Sequence, residues 1–228
     1  MFRTFGVSLR GKSHIKSETA NQDSFLCGEN GKFIVVSDGV GSAELSQIGS
    51  QMVCKAVEET SKSESKNIDG FIEAIHKEWC EYINKDMAKK FSATCLFCVE
   101  NATQVLIGQL GDGIIAVLFD EESKDFVCED NKQDSFSNST DAMSVVLNIE
   151  KWKKHNIPKA DIKAIIACTD GVSDSLKNDK KLMFFRDIYE TYKECSNKET
   201  IEDIKEWLVE WTSDSGDDKT IACMLREI

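Results

Sequence analysis

Only one proline, Pro158, occurs among 228 residues, and no stretch rich in Gly and Ser or in Pro interrupts the chain. Linkers between domains are built from such segments. With none to mark a boundary, and with enough length for a sizeable buried core, a single domain over residues 1–228 is expected. Long apolar runs are also missing. The longest, such as IIAVLF at 114–119, are too short to span a bilayer, and the opening MFRTFGVSLRGK lacks the continuous apolar segment of a secretory signal. A soluble, cytoplasmic protein with no membrane partner is the expectation. Basic residues are outnumbered: 28 Lys and Arg face 40 Asp and Glu, for a formal net charge of −12. Affinity for nucleic acid or anionic lipid needs clustered Lys and Arg, so neither is expected and a basic partner fits better.

Cysteine is plentiful, but it does not read as a disulfide framework. Nine is an odd number, and Cys54, Cys95, Cys98, Cys168 and Cys223 sit in apolar runs, as reduced thiols acting as small hydrophobes do. Cys95 and Cys98 form a C-x-x-C, but on a strand that spacing sends the two thiols to opposite faces. No second pair accompanies them, so zinc is not expected.

The hydropathy pattern predicts extended segments at 2–8, 23–27 and 32–37, then helices over 43–59 and about 68–87. Three strand-like runs follow, SATCLFCVE, TQVLIGQL and GIIAVLFD, whose short punctuation suits an antiparallel meander. Residues 120–142 are too polar for core and read as a surface loop or flap, with a short strand near Phe126 and Val127. Beyond them the pattern predicts a strand near 144–148, another at 162–169, helices at about 180–194 and 199–211, and a closing strand TIACMLRE. Strands and helices come in blocks, which argues for an α+β fold over a parallel α/β sheet.

One local design occurs twice. IVVSDGVGSAELS and IIACTDGVSDSL each run from a β-branched apolar stretch through a hydroxyl residue into Asp-Gly-Val, which puts Asp38 and Asp170 where a strand leaves the core. The following glycine permits close approach to the backbone, so the Gly39 carbonyl is itself a candidate ligand. Gly216-Asp217-Asp218-Lys219-Thr220 precedes the last strand, and Gly111-Asp112-Gly113 separates two others. Any one Asp-Gly after a strand is an ordinary turn. Four carboxylate sites at strand ends, without a Cys/His ligand pattern, describe an oxygen-only site for a hard cation such as Mg²⁺ or Mn²⁺.

These segments, together with SHIKSETANQDSF, SATCLF, GQLGDG and DDKTIACML, resemble in order the metal-dependent Ser/Thr protein phosphatases of the 2C type, in their compact bacterial branch. The resemblance implies a four-layer α-β-β-α sandwich of two antiparallel sheets flanked by helices, with two catalytic cations, Mn²⁺ or Mg²⁺, at one end. It implies that Asp38 bridges the cations, that the Gly39 carbonyl binds one of them, and that Asp170 and Asp217 are the remaining direct ligands. Asp23 matches an acidic position that holds water in the site. Asp112, Asp170 and Asp174 match the place of a third, weaker ion. The implied reaction is in-line attack on phosphorus by a water that the cations share and activate. The implied partners are a phosphoprotein substrate and a cognate Ser/Thr kinase.

The chain departs from the pattern on the substrate side. Glu18 stands where many relatives carry a phosphate-gripping arginine, which leaves His14, Lys12 and Lys16 as replacements, His14 first. Gln22 replaces a usual Glu, and Asp218 stands where many relatives have Asn. Val40 occupies a position where some eukaryotic members have a histidine proposed as general acid, so protonation of the leaving group would rely on metal-bound water or on His14. A cysteine phosphatase is excluded because no cysteine begins a phosphate-cradling loop ending in Arg, and an aspartyl-phosphate enzyme because Val40 lies where its second Asp would be. The alternative is a catalytically weak, metal-binding regulatory module of the same fold. A plain interaction domain without metal is the third reading.

Overall fold

The computed structural model describes residues 1–63, 67–129, 140–211 and 216–227. Its strands are β1 (Phe2–Leu9), β2 (Asp23–Cys27), β3 (Phe33–Asp38), β4 (Cys95–Glu100), β5 (Gln104–Leu110), β6 (Ile114–Phe119), β7 (Phe126–Glu129), β8 (Lys153–Pro158), β9 (Ile162–Cys168) and β10 (Lys219–Arg226). Its helices are α1 (Lys12–Lys16), α2 (Ser46–Ser61), α3 (Ile68–Tyr82), α4 (Asp170–Ser173), α5 (Lys181–Tyr192) and α6 (Asn197–Trp211). Every strand pairing is antiparallel, in two five-stranded sheets ordered β1-β10-β9-β6-β7 and β2-β3-β4-β5-β8. The architecture is the α+β sandwich expected.

The two-residue period of the strands builds the layers. On β3 and β4, Phe33, Val35, Cys95, Phe97 and Val99 face α2 and α3, while Ile34, Val36, Leu96 and Cys98 face the other sheet. On β9 and β10, Ala164, Ile166, Ile221 and Cys223 face α5 and α6, and Ile165, Ala167, Ala222 and Met224 meet the first sheet. Strands buried on both faces explain the continuous apolar runs, at roughly 1.5–3 kcal/mol for each large aliphatic side chain removed from water. Cys95 and Cys98 fall in different layers, and all nine cysteines are free.

Helix α3 follows its pattern: Ile68, Phe71, Ile72, Ile75 and Trp79 recur at helical spacing and are buried, and the Asn67 side chain caps the helix by accepting from the Gly70 N–H at 2.7 Å. It ends at Tyr82 rather than near 87, where a 3₁₀ segment, Lys85–Phe91, takes over. Helix α2 is rotated from the face its apolar residues suggest. Ile48 is exposed, while Ser46, Gly49 and Ser50 are buried. A Cβ at Gly49 would lie 2.2 Å from the Phe91 carbonyl, so the small residues set how closely the helix packs.

Two expectations fail. The meander breaks after β5: Gly111 and Gly113 take positive φ, 96° and 101°, and their turn carries β6 into the other sheet. Residues 144–148 are not a strand, and Val146 is 75% exposed. The strand in that region is β8, whose polar sequence KKHNIP suits an edge. Of the 120–142 loop, β7 is present and 130–139 lie outside the described residues. Among the described residues no helix is long and apolar enough to cross a membrane.

Candidate metal centre

The four acidic strand ends meet at one end of the sandwich. Side-chain oxygens of Asp38, Asp112 and Asp170 lie within 4.8 Å of one another. Asp38 ends β3, Asp170 opens α4 directly after β9, and Asp112 sits in the turn between β5 and β6. Asp23 opens β2 opposite Asp38 in the ladder. Asp217 precedes β10, close enough to raise both Asp38 and Asp170 electrostatically. Asp174 raises Asp170 as well, and its N–H donates to the Asp170 carbonyl at 2.8 Å.

The hydroxyl residues before each Asp-Gly hold the backbone and side chains of the cluster. Thr169 Oγ1 donates to Asp23 Oδ2 at 2.7 Å and accepts from the Thr220 N–H at 3.1 Å. Ser37 Oγ donates to the Thr94 carbonyl at 2.5 Å, while Thr94 Oγ1 accepts from the Asp38 N–H at 2.8 Å. Gly39 does not use positive φ. A Cβ there would fall 2.5 Å from the Ser46 carbonyl, so glycine is required by close approach of α2.

So many carboxyl groups in one place resist ionising together. Burial, and then the charges of Asp23 and Asp170, push the Asp38 carboxyl far above the carboxylate range. Asp170 rises to about 7, through burial first and then Asp112, Asp217, Asp23 and Asp174. Burial also raises Asp23, against hydrogen bonds from Thr169 and Thr220 that favour its ionised form. An all-oxygen donor set with this much repulsion matches a hard divalent cation.

Several neighbours were not legible in the sequence. Asp218 is buried and accepts from the Gly11 N–H at 2.7 Å and the Gln22 N–H at 2.6 Å. Gln109 is buried, and its Nε2 donates to the carbonyls of Gly111 and Gly113 at 3.1 and 3.2 Å, bracing the Asp112 turn. Thr140 Oγ1 donates to Asp112 Oδ2 at 2.8 Å and lines a groove of about 300 Å³ beside the cluster. The Lys219 side chain is buried, and its ammonium donates to the Asp217 carbonyl at 3.3 Å. Arg10 Nη2 donates to the His14 carbonyl at 2.6 Å. A run of ordinary turn and strand residues gave no signal for these roles.

On α1, Lys12 and Lys16 are exposed. His14 is partly buried, with Nδ1 2.8 Å from Asp218 Oδ2, inside ion-pair distance but without the alignment of a hydrogen bond. Glu18 is exposed and has a left-handed backbone, φ 58°.

Fold and cluster together define a class: an antiparallel α+β sandwich that gathers oxygen donors from its strand ends. The chain belongs to the Protein phosphatase 2C family, whose sequence profile matches residues 10–212. Its fold is similar to that of a bacterial serine phosphatase, with 15% identity over 100% of this chain and 99% of the other and a TM-score of 0.69. The catalytic domain of the serine/threonine phosphatase PstP, solved with two manganese ions, gives 16%, 100% and 99%, and a TM-score of 0.68. Stp1 from Staphylococcus aureus gives 13%, 100% and 96%, and 0.68. No curated protein sequence matches the chain.

Proposed function

We propose that this chain is a metal-dependent phosphoprotein phosphatase, acting as a single cytoplasmic domain that hydrolyses phosphoserine and phosphothreonine esters. The observation that carries the reading is the convergence of Asp38, Asp112 and Asp170, which is electrostatically unfavourable without cations. The residues that would hold them are Asp38, Asp170 and Asp217 with the Gly39 carbonyl, Asp23 at the side through water, and Asp112 and Asp174 at a weaker third position. Mn²⁺ or Mg²⁺ there would supply Lewis acidity, activating the attacking water and neutralising charge on the phosphoryl oxygens. The two manganese ions in the PstP structure support this choice.

The chain's own groups do the rest. Thr169 orients Asp23, Gln109 fixes the turn that presents Asp112, and the Ser37 and Thr94 bonds hold the β3 end from which Asp38 projects. His14, Lys12 and Lys16 on α1 offer hydrogen-bond donors to a phosphate that must approach a protein of net charge −12. A Ser/Thr kinase acting on the same substrate is the counterpart. A second reading, a metal-binding regulatory module with little turnover, is favoured by Glu18 and Gln22, which replace the family's arginine and glutamate.

The test is hydrolysis of p-nitrophenyl phosphate and a phosphoserine peptide. Mn²⁺ should support both reactions and EDTA should abolish them, and Asp38→Ala should remove activity while the circular dichroism spectrum is kept. Mn²⁺ binding without hydrolysis of either substrate selects the regulatory module. Full activity in Asp38→Ala refutes the site.

A further inference from the structure

Helix α1 has five residues, none of them buried, so core packing does not account for its position. It is nevertheless pinned. The Ser13 N–H donates to the Gly216 carbonyl at 2.9 Å, Arg10 holds the His14 carbonyl, and Asp218 takes the Gly11 N–H at the helix entrance. Asp218 ties two separate segments to its own: its Oδ1 accepts from Gly11, and its Oδ2 accepts from the Gln22 N–H and lies 2.8 Å from His14 Nδ1. The Gln22 carbonyl in turn accepts from the Gly39 N–H at 3.1 Å, and Asp23 pairs with Asp38. The Asp218 carboxylate is therefore one peptide unit from the acidic cluster, and the imidazole it touches is partly exposed.

We propose that Asp218 is a positioning residue that presents His14 as the acid for the leaving-group oxygen, a role that rests on the phosphatase reading above. A carboxylate at Nδ1 fixes both the ring and its tautomer, so that Nε2 is the atom left for chemistry. His14 Nδ1 is itself buried, and the 21% of the side chain that is exposed is the remainder. The pair carries no net charge when the ring is protonated. That makes it a weak clamp for a phosphate dianion but a competent proton donor. The chain's other two histidines are engaged elsewhere: His76 Nε2 lies 2.9 Å from the Ser144 carbonyl, and the His155 ring is 5.0 Å from Phe126. In the step, the ester P–O bond breaks with its electron pair moving to the serine oxygen, which takes the proton from His14 Nε2. Water gives its oxygen to phosphorus, and one of its protons restores His14 through solvent.

His14→Gln and Asp218→Asn test the assignment. Each should lower kcat on a phosphoserine peptide at least about tenfold with little change in KM. The loss on p-nitrophenyl phosphate, whose leaving group departs without a proton, should be at least about tenfold smaller. In metal-free protein, ring ¹⁵N spectra should show neutral His14 with its proton on Nδ1, a preference lost in Asp218→Asn. Equal losses on both substrates, or a raised KM with kcat intact, would overturn the proposal in favour of a phosphate anchor. An unchanged tautomer in Asp218→Asn would also overturn it. Wild-type protein that hydrolyses neither substrate sinks the phosphatase reading, and the spectra still decide whether Asp218 orients His14.

Discussion

Replacing Asp170 by Asn should stabilise the metal-free protein, by an amount that depends on pH. The Asp170 carboxyl rises from 3.8 to about 7 on folding, chiefly through burial and the charge of Asp112. The folded state therefore binds this proton more tightly than the unfolded chain. Stability from that source is complete below about pH 4 and is lost as pH rises through about 7. At about 1.4 kcal/mol per pH unit the interval corresponds to roughly 4 kcal/mol. Water at the rim of a partly exposed site screens some of this, leaving about 2 to 4 kcal/mol. Asparagine keeps the shape and cannot ionise. Urea titrations of EDTA-treated proteins should give equal stability at pH 4, and at pH 8 an advantage of about 2 to 4 kcal/mol for Asp170→Asn. Mn²⁺ at a thousand times its Kd should close this gap, adding about 4.1 kcal/mol to the wild type and much less to the variant. No advantage at pH 8 without metal, or equal stabilisation of both proteins by Mn²⁺, would refute the reasoning.

Two further predictions concern the frame around the site. The Trp79 indole is fully buried, and its Nε1 has no hydrogen-bond partner among the described residues. Trp79→Phe therefore removes an unsatisfied N–H along with some packing and should cost under about 1.5 kcal/mol, against about 3–5 for Trp79→Ala. Equal losses in guanidinium unfolding would show that the indole N–H is satisfied. Glu18 is held at φ 58°, a conformation that costs a residue with a Cβ roughly 1 kcal/mol. Glu18→Gly should raise the thermal midpoint and Glu18→Ala should not, and a gain in both would mean that removing the charge was the cause.

The sequence made the cluster visible because its design is repeated: a buried strand must end somewhere, and an Asp at two such ends after the same hydroxyl is hard to miss. Asp112 was legible as a fourth acidic site between two strands, but its grouping with Asp38 and Asp170 depends on β6 changing sheets at Gly111–Gly113. No hydropathy period records which sheet a strand joins. Strand β8 was missed for a related reason, since an edge strand with only Ile157 buried lacks the alternation that betrays inner strands. The adjacent Val145 and Val146 look like a strand in sequence, yet both are exposed. Asp218 illustrates the limit at the level of single groups. Its neighbours Gly11, His14 and Gln22 are some 200 residues away along the chain, and only the closed sandwich brings them to one carboxylate.

The most direct test of the central claim is diffraction from crystals soaked in Mn²⁺ and measured at the manganese absorption edge. Two anomalous peaks should appear, each within about 2.5 Å of an Asp38 oxygen, with Asp170 and Asp217 completing the coordination. An absence of manganese at Asp38, in crystals that take up the ion elsewhere, would contradict the account.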